Sequence, residues 1–214
     1  TPFGAVAIAG TGTNSAAINS LGERAILRAL SYMLGTYGGG LDIAREALHY
    51  AYRADELTYK ETILRTEIPK LFNKKTMDDI LPLFYPKRVI DKVQFGSITP
   101  LVYECALQGD EVAIEILEEI GKHIALQTIG VIKQVGIQDL EVPIVVGGRV
   151  FSSKLKFFLD SFTKHIKQHA PKATIVFPIY PPVIGAYFSA LDELNINQSQ
   201  EIENNIVESC DCDA

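Results

Sequence analysis

The chain has 214 residues, 47% of them hydrophobic and 21% charged, and 20 Lys and Arg against 26 Asp and Glu give a formal net charge of −6. That balance excludes a disordered or fibrous chain, and the acidic excess without clustered basic residues argues against nucleic acid as a partner. No apolar run approaches the about 20 residues that span a bilayer, and the opening Thr1–Ala9 has no charged n-region, so neither a membrane nor a secretory segment is expected.

In chain order, the apolar run Gly4-Ala5-Val6-Ala7-Ile8-Ala9 breaks into Gly10-Thr11-Gly12-Thr13-Asn14-Ser15. A second short run, Ala16-Ala17-Ile18, then leads into the turn-like Asn19-Ser20-Leu21-Gly22. Strand, polar glycine loop and strand is the natural reading, followed by a third strand or a short helix between Glu23 and Leu34. After Gly38-Gly39-Gly40, Asp42 is placed to cap a helix whose apolar stripe is Ile43, Ala44, Ala47, Leu48 and Ala51. From about 58 to 96 the apolar spacing is helical but interrupted by Pro69, Pro82 and Pro86, which predicts short helices forming an insert on one face.

Asp110 opens the clearest helix. Val112, Ala113, Ile116, Leu117, Ile120, Ile124, Ile129, Ile132 and Val135 share one face until Gly136 ends it. Val142-Pro143-Ile144-Val145-Val146 suits a strand buried on both faces. Gly147-Gly148 turns the chain into a helix over roughly 152–169, Thr174–Phe177 reads as another strand, and Pro181-Pro182 precedes a last helix over Ile184–Leu194. These elements predict one α/β domain with a mixed sheet flanked by helices over residues 1–194, followed by a flexible acidic tail at 195–214.

Two glycine-rich turns carry candidate chemistry. In Gly10-Thr11-Gly12-Thr13-Asn14, successive N–H groups and the threonine hydroxyls can converge on phosphate oxygens, although a plain hairpin turn uses the same residue types. The spacing fits neither the P-loop, which needs Gly-Lys-Ser/Thr, nor the G-x-G-x-x-G of the dinucleotide fold. Gly147-Gly148-Arg149 follows a strand and opens a helix, where open α/β sheets bind ligands. Glycines there would let a flat ring lie on the backbone with Arg149 stacked on it, while close helix–strand packing also favours glycine.

Val6–Asn14 resembles the second phosphate motif of the BadF/BadG/BcrA/BcrD ATPase family, which includes eukaryotic-type N-acetylglucosamine kinases and belongs to the sugar kinase, heat-shock cognate and actin superfamily. Gly38–Leu48, Gln108-Gly109-Asp110, Gly147-Gly148 and Pro181–Ala186 are similar to further family motifs in the same order. The resemblance implies a ribonuclease H-like, actin-like ATPase domain that holds ATP with Mg²⁺. On that basis Gly10, Thr11, Gly12 and Thr13 would face the phosphates, and Gly147, Gly148 and Arg149 the adenosine. Thr11 and Asn14 match positions that also touch sugar, and Thr36 stands where the sugar kinases place an acidic substrate ligand.

The sequence also departs from the family. An N-terminal domain with the first phosphate motif and a catalytic Asp, expected upstream of Gly4, is absent, which implies the C-terminal half of a longer protein. Thr36 replaces a charged ligand whose hydrogen bond is worth about 1.5–3 kcal/mol, which argues against N-acetylglucosamine itself. No motif Trp is present.

His49, His123, His165 and His169 fall on predicted helices as surface groups, and His165 and His169, four apart, lack the zinc-protease Glu. Cys105 reads as a small core residue, and Cys210-Asp211-Cys212 makes no complete metal site. Three cysteines are too few for a disulfide framework, which points to the cytoplasm. The expected function is the nucleotide-binding half of an ATP-dependent kinase acting on a sugar-like hydroxyl. The competing expectation is a non-catalytic nucleotide-sensing or dimerisation module, with a homodimer among its partners.

Overall fold

Ala5, Ala7 and Ala9 alternate with Val6 and Ile8 along β1 (Gly4–Ala9), so one face of the strand is buried and the other partly open. That strand is the centre of a five-stranded sheet in the computed structural model, which describes residues 3–87, 89–196, 199, 202 and 204–206. Most of the expected acidic tail lies outside the described residues, as do Cys210 and Cys212. The chain forms two compact units, one through Val176 and one from Phe177 onward.

In the first unit β2 (Thr13–Ile18) returns antiparallel on β1, and β3 (Arg24–Ile26) pairs antiparallel with β2. β4 (Pro143–Gly147) lies parallel to the other edge of β1, and β5 (Thr174–Val176) parallel to β4, giving the order β3-β2-β1-β4-β5. The register pairs Ile8 with Gly147, which brings the carboxyl ends of β1 and β4 level with each other. β4 is buried on one face only: Ile144 and Val146 are inside, while Val145 and Gly147 are partly exposed. The continuous apolar run suggested two buried faces, but helices pack mainly against the alanine side.

α1 (Gly40–Asp55) begins two residues before Asp42, which therefore reaches back from the first turn instead of standing in front of it. α2 (Leu64–Leu71), α3 (Met77–Phe84), α4 (Lys92–Gly96) and α5 (Ile98–Leu107) follow. Pro69 and Pro82 sit inside α2 and α3 near their ends, not between helices as the sequence suggested. There each removes a single amide donor just before the helix stops, so the cost is small. The span between Glu23 and Leu34 contains both alternatives, β3 and a 3₁₀ turn at Tyr32–Leu34.

α6 (Glu111–Gln134) is capped by Asp110, whose side chain accepts from Ala113 N–H, and all nine apolar residues of its expected face are buried. The fully buried Thr128 hydroxyl lies 3.0 Å from that of Ser15 on β2, which ties the helix to the sheet. α7 (Arg149–Ser152) and α8 (Lys156–His169) replace the single helix expected over this stretch. Phe151, Phe158 and Phe162 nevertheless form one buried cluster, with Phe151 centroids 5.0 and 5.1 Å from the other two. Burying each such ring stabilises by about 1.5–3 kcal/mol. The second unit contains α9 (Pro182–Glu193), where the last helix was expected.

Candidate functional site

β1 and β2 are joined by only Gly10, Thr11 and Gly12, and Gly10 N–H donates to Gly12 O at 2.8 Å to close the loop. The first turn of α1 holds that loop from beneath. Gly40 N–H donates to Gly10 O at 2.7 Å, and Leu41 N–H to Thr11 O at 3.1 Å. In a trans peptide the C=O and the following N–H point in opposite directions. Turning those two carbonyls toward α1 therefore turns the N–H groups of Thr11 and Gly12 away from it. Both residues are exposed, and among the described residues neither N–H has an acceptor. The approach depends on Gly39, where a Cβ would lie 2.4 Å from Gly12 Cα.

β4 delivers Gly148 to the same place. Its φ is +92°, a conformation that L side chains rarely adopt, and a Cβ there would lie 2.3 Å from Ala9 O and 3.1 Å from Gly10 N. Three glycine segments from distant parts of the sequence thus meet backbone to backbone: Gly10–Gly12, Gly38–Gly40 and Gly147-Gly148. The Arg149 side chain is exposed at the start of α7 and has no ion pair or hydrogen bond among the described residues.

Other expected site residues are placed differently. Thr13 is buried on the α6 side of the sheet, and its hydroxyl donates to Ile8 O at 2.9 Å, so it does not offer that hydrogen outward. Thr11 carries the exposed hydroxyl of the loop. Asn14 lies on the opposite face of β2 from Thr13, paired with Ile8, and its amide oxygen accepts from Ser15 N–H. Thr36 lines a cavity of about 320 Å³ together with Arg28, Gly35, His123 and Gln127.

Asp42 organises the middle segment. Its buried carboxylate accepts from Gly38 N–H at 2.9 Å and Gly39 N–H at 3.1 Å, and pairs with Arg45 at 2.6 Å. Gln127 donates to Tyr37 O from α6. Burial, followed by the Glu46 carboxylate, pushes the Tyr37 phenol well above its usual value, so this hydroxyl stays protonated. Thr99, buried on α5, donates to Gly40 O at 2.6 Å.

The sequence reading singled out Gly10, Gly12, Gly147 and Gly148 but gave no site role to Gly39, Gly40 or Thr99. Three successive glycines before a helix were a legible signal of close approach. Thr99 had none, because its partner lies 59 residues away. Among the described residues no group of three His, Cys, Asp or Glu side chains lies together as a metal site. His165 is engaged with Ser161 O on its own helix.

Outward amides beside an exposed hydroxyl can donate to anionic oxygens without a charged side chain. The neighbouring Gly147-Gly148 backbone offers a surface free of side chains. The sheet order, its strand directions and the position of these turns define a ribonuclease H-like domain of the actin-like ATPase fold. A solved structure from Chromobacterium violaceum, described as a candidate N-acetylglucosamine kinase, matches it with a TM-score of 0.62 at 18% identity, over 86% of this chain and 58% of its own.

The chain belongs to the BadF/BadG/BcrA/BcrD ATPase family, which matches residues 2–190. It is 26% identical over 190 residues to an N-acetylmuramic acid/N-acetylglucosamine kinase of Clostridium acetobutylicum, covering 89% of this chain and 61% of the relative. It is 29% identical over 192 residues to an N-acetyl-D-glucosamine kinase of Dictyostelium discoideum, covering 89% and 60%. The chain thus spans about three-fifths of the length of these relatives. No helix among the described residues is long and apolar enough to cross a membrane.

Proposed function

We propose that this chain is the nucleotide-binding part of an ATP-dependent kinase that transfers the γ-phosphoryl group to a hydroxyl of a sugar or amino sugar. The observation that carries the reading is the convergence of the Gly10–Gly12 loop and Gly148 at backbone contact. The Thr11 and Gly12 amides, with the Thr11 hydroxyl, hold the β- and γ-phosphates. Gly147 and Gly148 lie under the adenosine, and Arg149 stacks on its base or ribose. The fit of nucleotide to this place rests on two features: a Gly148 backbone packed so closely on Ala9 and Gly10 that a Cβ would clash, and donors that have no partner among the described residues.

Mg²⁺ is proposed to ride on the phosphate oxygens, as it does where few protein ligands are offered. Phosphoryl transfer is catalysed chiefly by positioning and charge stabilisation, and this chain supplies the positioning of the donor. The base that activates the acceptor hydroxyl and the first phosphate contacts are proposed to come from outside these 214 residues. Asn14 and Thr36 are proposed substrate contacts. The names of the relatives put N-acetylmuramic acid and N-acetylglucosamine among the acceptors to try, and Thr36 in place of a charged ligand weighs against the second.

Calorimetric titration of the chain with ATP and ADP, with and without Mg²⁺, tests the reading. Binding that disappears in Gly148→Val, with the circular dichroism spectrum retained, supports it. A folded wild-type chain that gives no heat with either nucleotide overturns it in favour of a non-catalytic module.

A further inference from the structure

The Gly10–Gly12 loop stands at the end of a hydrogen-bond relay that crosses three elements. Thr99, in the first turn of α5, donates its hydroxyl hydrogen to Gly40 O at 2.6 Å. Gly40 N–H in turn donates to Gly10 O at 2.7 Å, and the next residue, Leu41, does the same to Thr11 O at 3.1 Å. Thr99 is 7% exposed, and its Oγ1 and Cγ2 would lie 3.6 and 3.7 Å from a Cβ added at Gly40, so its side chain sits beside the Gly40 backbone. Asp42 and Gln127 hold the preceding residues 37–39 by hydrogen bonds to Gly38, Gly39 and Tyr37, whereas the Thr99 hydroxyl bonds to Gly40, the residue whose amide reaches Gly10 O.

We propose that Thr99 is a positioning residue for the phosphate loop. By fixing Gly40 it holds the Gly10 and Thr11 carbonyls inward and the Thr11 and Gly12 N–H groups toward bound phosphate. The proposal rests on the nucleotide reading above. If Gly40 is released, the two peptide planes of the loop can rotate, and a carbonyl can then replace an amide at the site. An oxygen lone pair facing phosphate repels where the N–H attracts, so the loss falls on affinity and not only on stability.

The test compares Thr99→Val, which keeps the shape and loses the hydroxyl, with Thr99→Ser, which keeps the hydroxyl. Thr128→Val is the control, since it removes a fully buried hydroxyl bonded to Ile124 O and Ser15, neither of them a residue of the loop. T99V is expected to raise the Kd for ATP roughly 3- to 10-fold, the equivalent of one neutral hydrogen bond. T99S and T128V should stay within about twofold of wild type, even where T128V lowers Tm as much as T99V does. Equal weakening in T99V and T128V, or a T99S as weak as T99V, overturns the proposal. If T99V does not fold, Thr99→Ala gives the same comparison.

Amide hydrogen exchange separates this inference from the nucleotide reading. T99V should speed exchange at Gly40 and Leu41 by roughly threefold or more while leaving the centre of α6 unchanged. Unaltered exchange at Gly40 and Leu41 overturns the positioning role whether or not ATP binds. Faster exchange in a chain whose wild type binds no ATP overturns the nucleotide reading and leaves Thr99 as the residue that sets the loop.

Discussion

At Cys105 a thiol is enclosed by the core of the first unit, and burial, aided by the Asp110 carboxylate, raises its pKa from the ordinary 9.0 to about 11. The folded state thus favours the protonated thiol. The stability this contributes is complete below the unfolded pKa and is lost as pH rises from there toward about 11. In the native chain Cys105 should resist iodoacetamide near pH ~8 and react readily in denaturant, as peptide mass spectrometry would show. Rapid native labelling would contradict the buried environment. The sequence had already marked this cysteine as a core residue. It singled out Gly10 and Gly148 as candidate site residues, beside the plain-turn and close-packing readings that the same glycines allow. It credited Thr13 with an outward hydroxyl, since the sequence does not say which strand face that residue joins.

Among the elements, α6 is the most legible, because its apolar residues repeat at the helical period and Asp110 stands at its cap. The structure gives Asp110 a second task. Besides Ala113 N–H at 2.8 Å, its carboxylate accepts from Ile63 N–H at 2.6 Å and from the Thr62 hydroxyl at 2.9 and 3.0 Å, which ties the segment before α2 to the start of α6. Asp110→Ala removes the cap and strands two donors, one of them buried, so it should cost roughly 2–4 kcal/mol in chemical denaturation. Asp110→Asn keeps an acceptor for the helix and should cost less. An alanine variant within about 0.5 kcal/mol of wild type would show that the cap contributes little. The break between α7 and α8 was not legible for a related reason. Phe151, Phe158 and Phe162 keep helical spacing across it, and periodicity cannot detect an interruption that leaves the buried face in register. The strand β4 misled in the opposite way, since a short run such as Ile-Val-Val reads the same whether one face or two are covered.

For the whole molecule, a chain of net charge −6 is proposed to bind a polyanion with uncharged backbone donors. Such a site differs from one built of lysines, whose affinity falls steeply with salt. Raising NaCl from about 50 to about 300 mM should change the ATP affinity by less than about threefold, because screening also relieves the repulsion by the protein's own charge. A loss beyond about tenfold in calorimetry would assign the binding to basic side chains instead. The sequence by itself determined the α/β class, the long central helix and the glycine turns, because periodicity and residue type act locally along the chain. Only the tertiary structure decided that Gly10–Gly12, Gly38–Gly40 and Gly148 share one place, that Thr13 turns inward, and that Thr99 holds Gly40. Those facts depend on strand register and on contacts between residues tens of positions apart, where hydrogen-bond geometry and close packing choose among arrangements that the local pattern leaves equal.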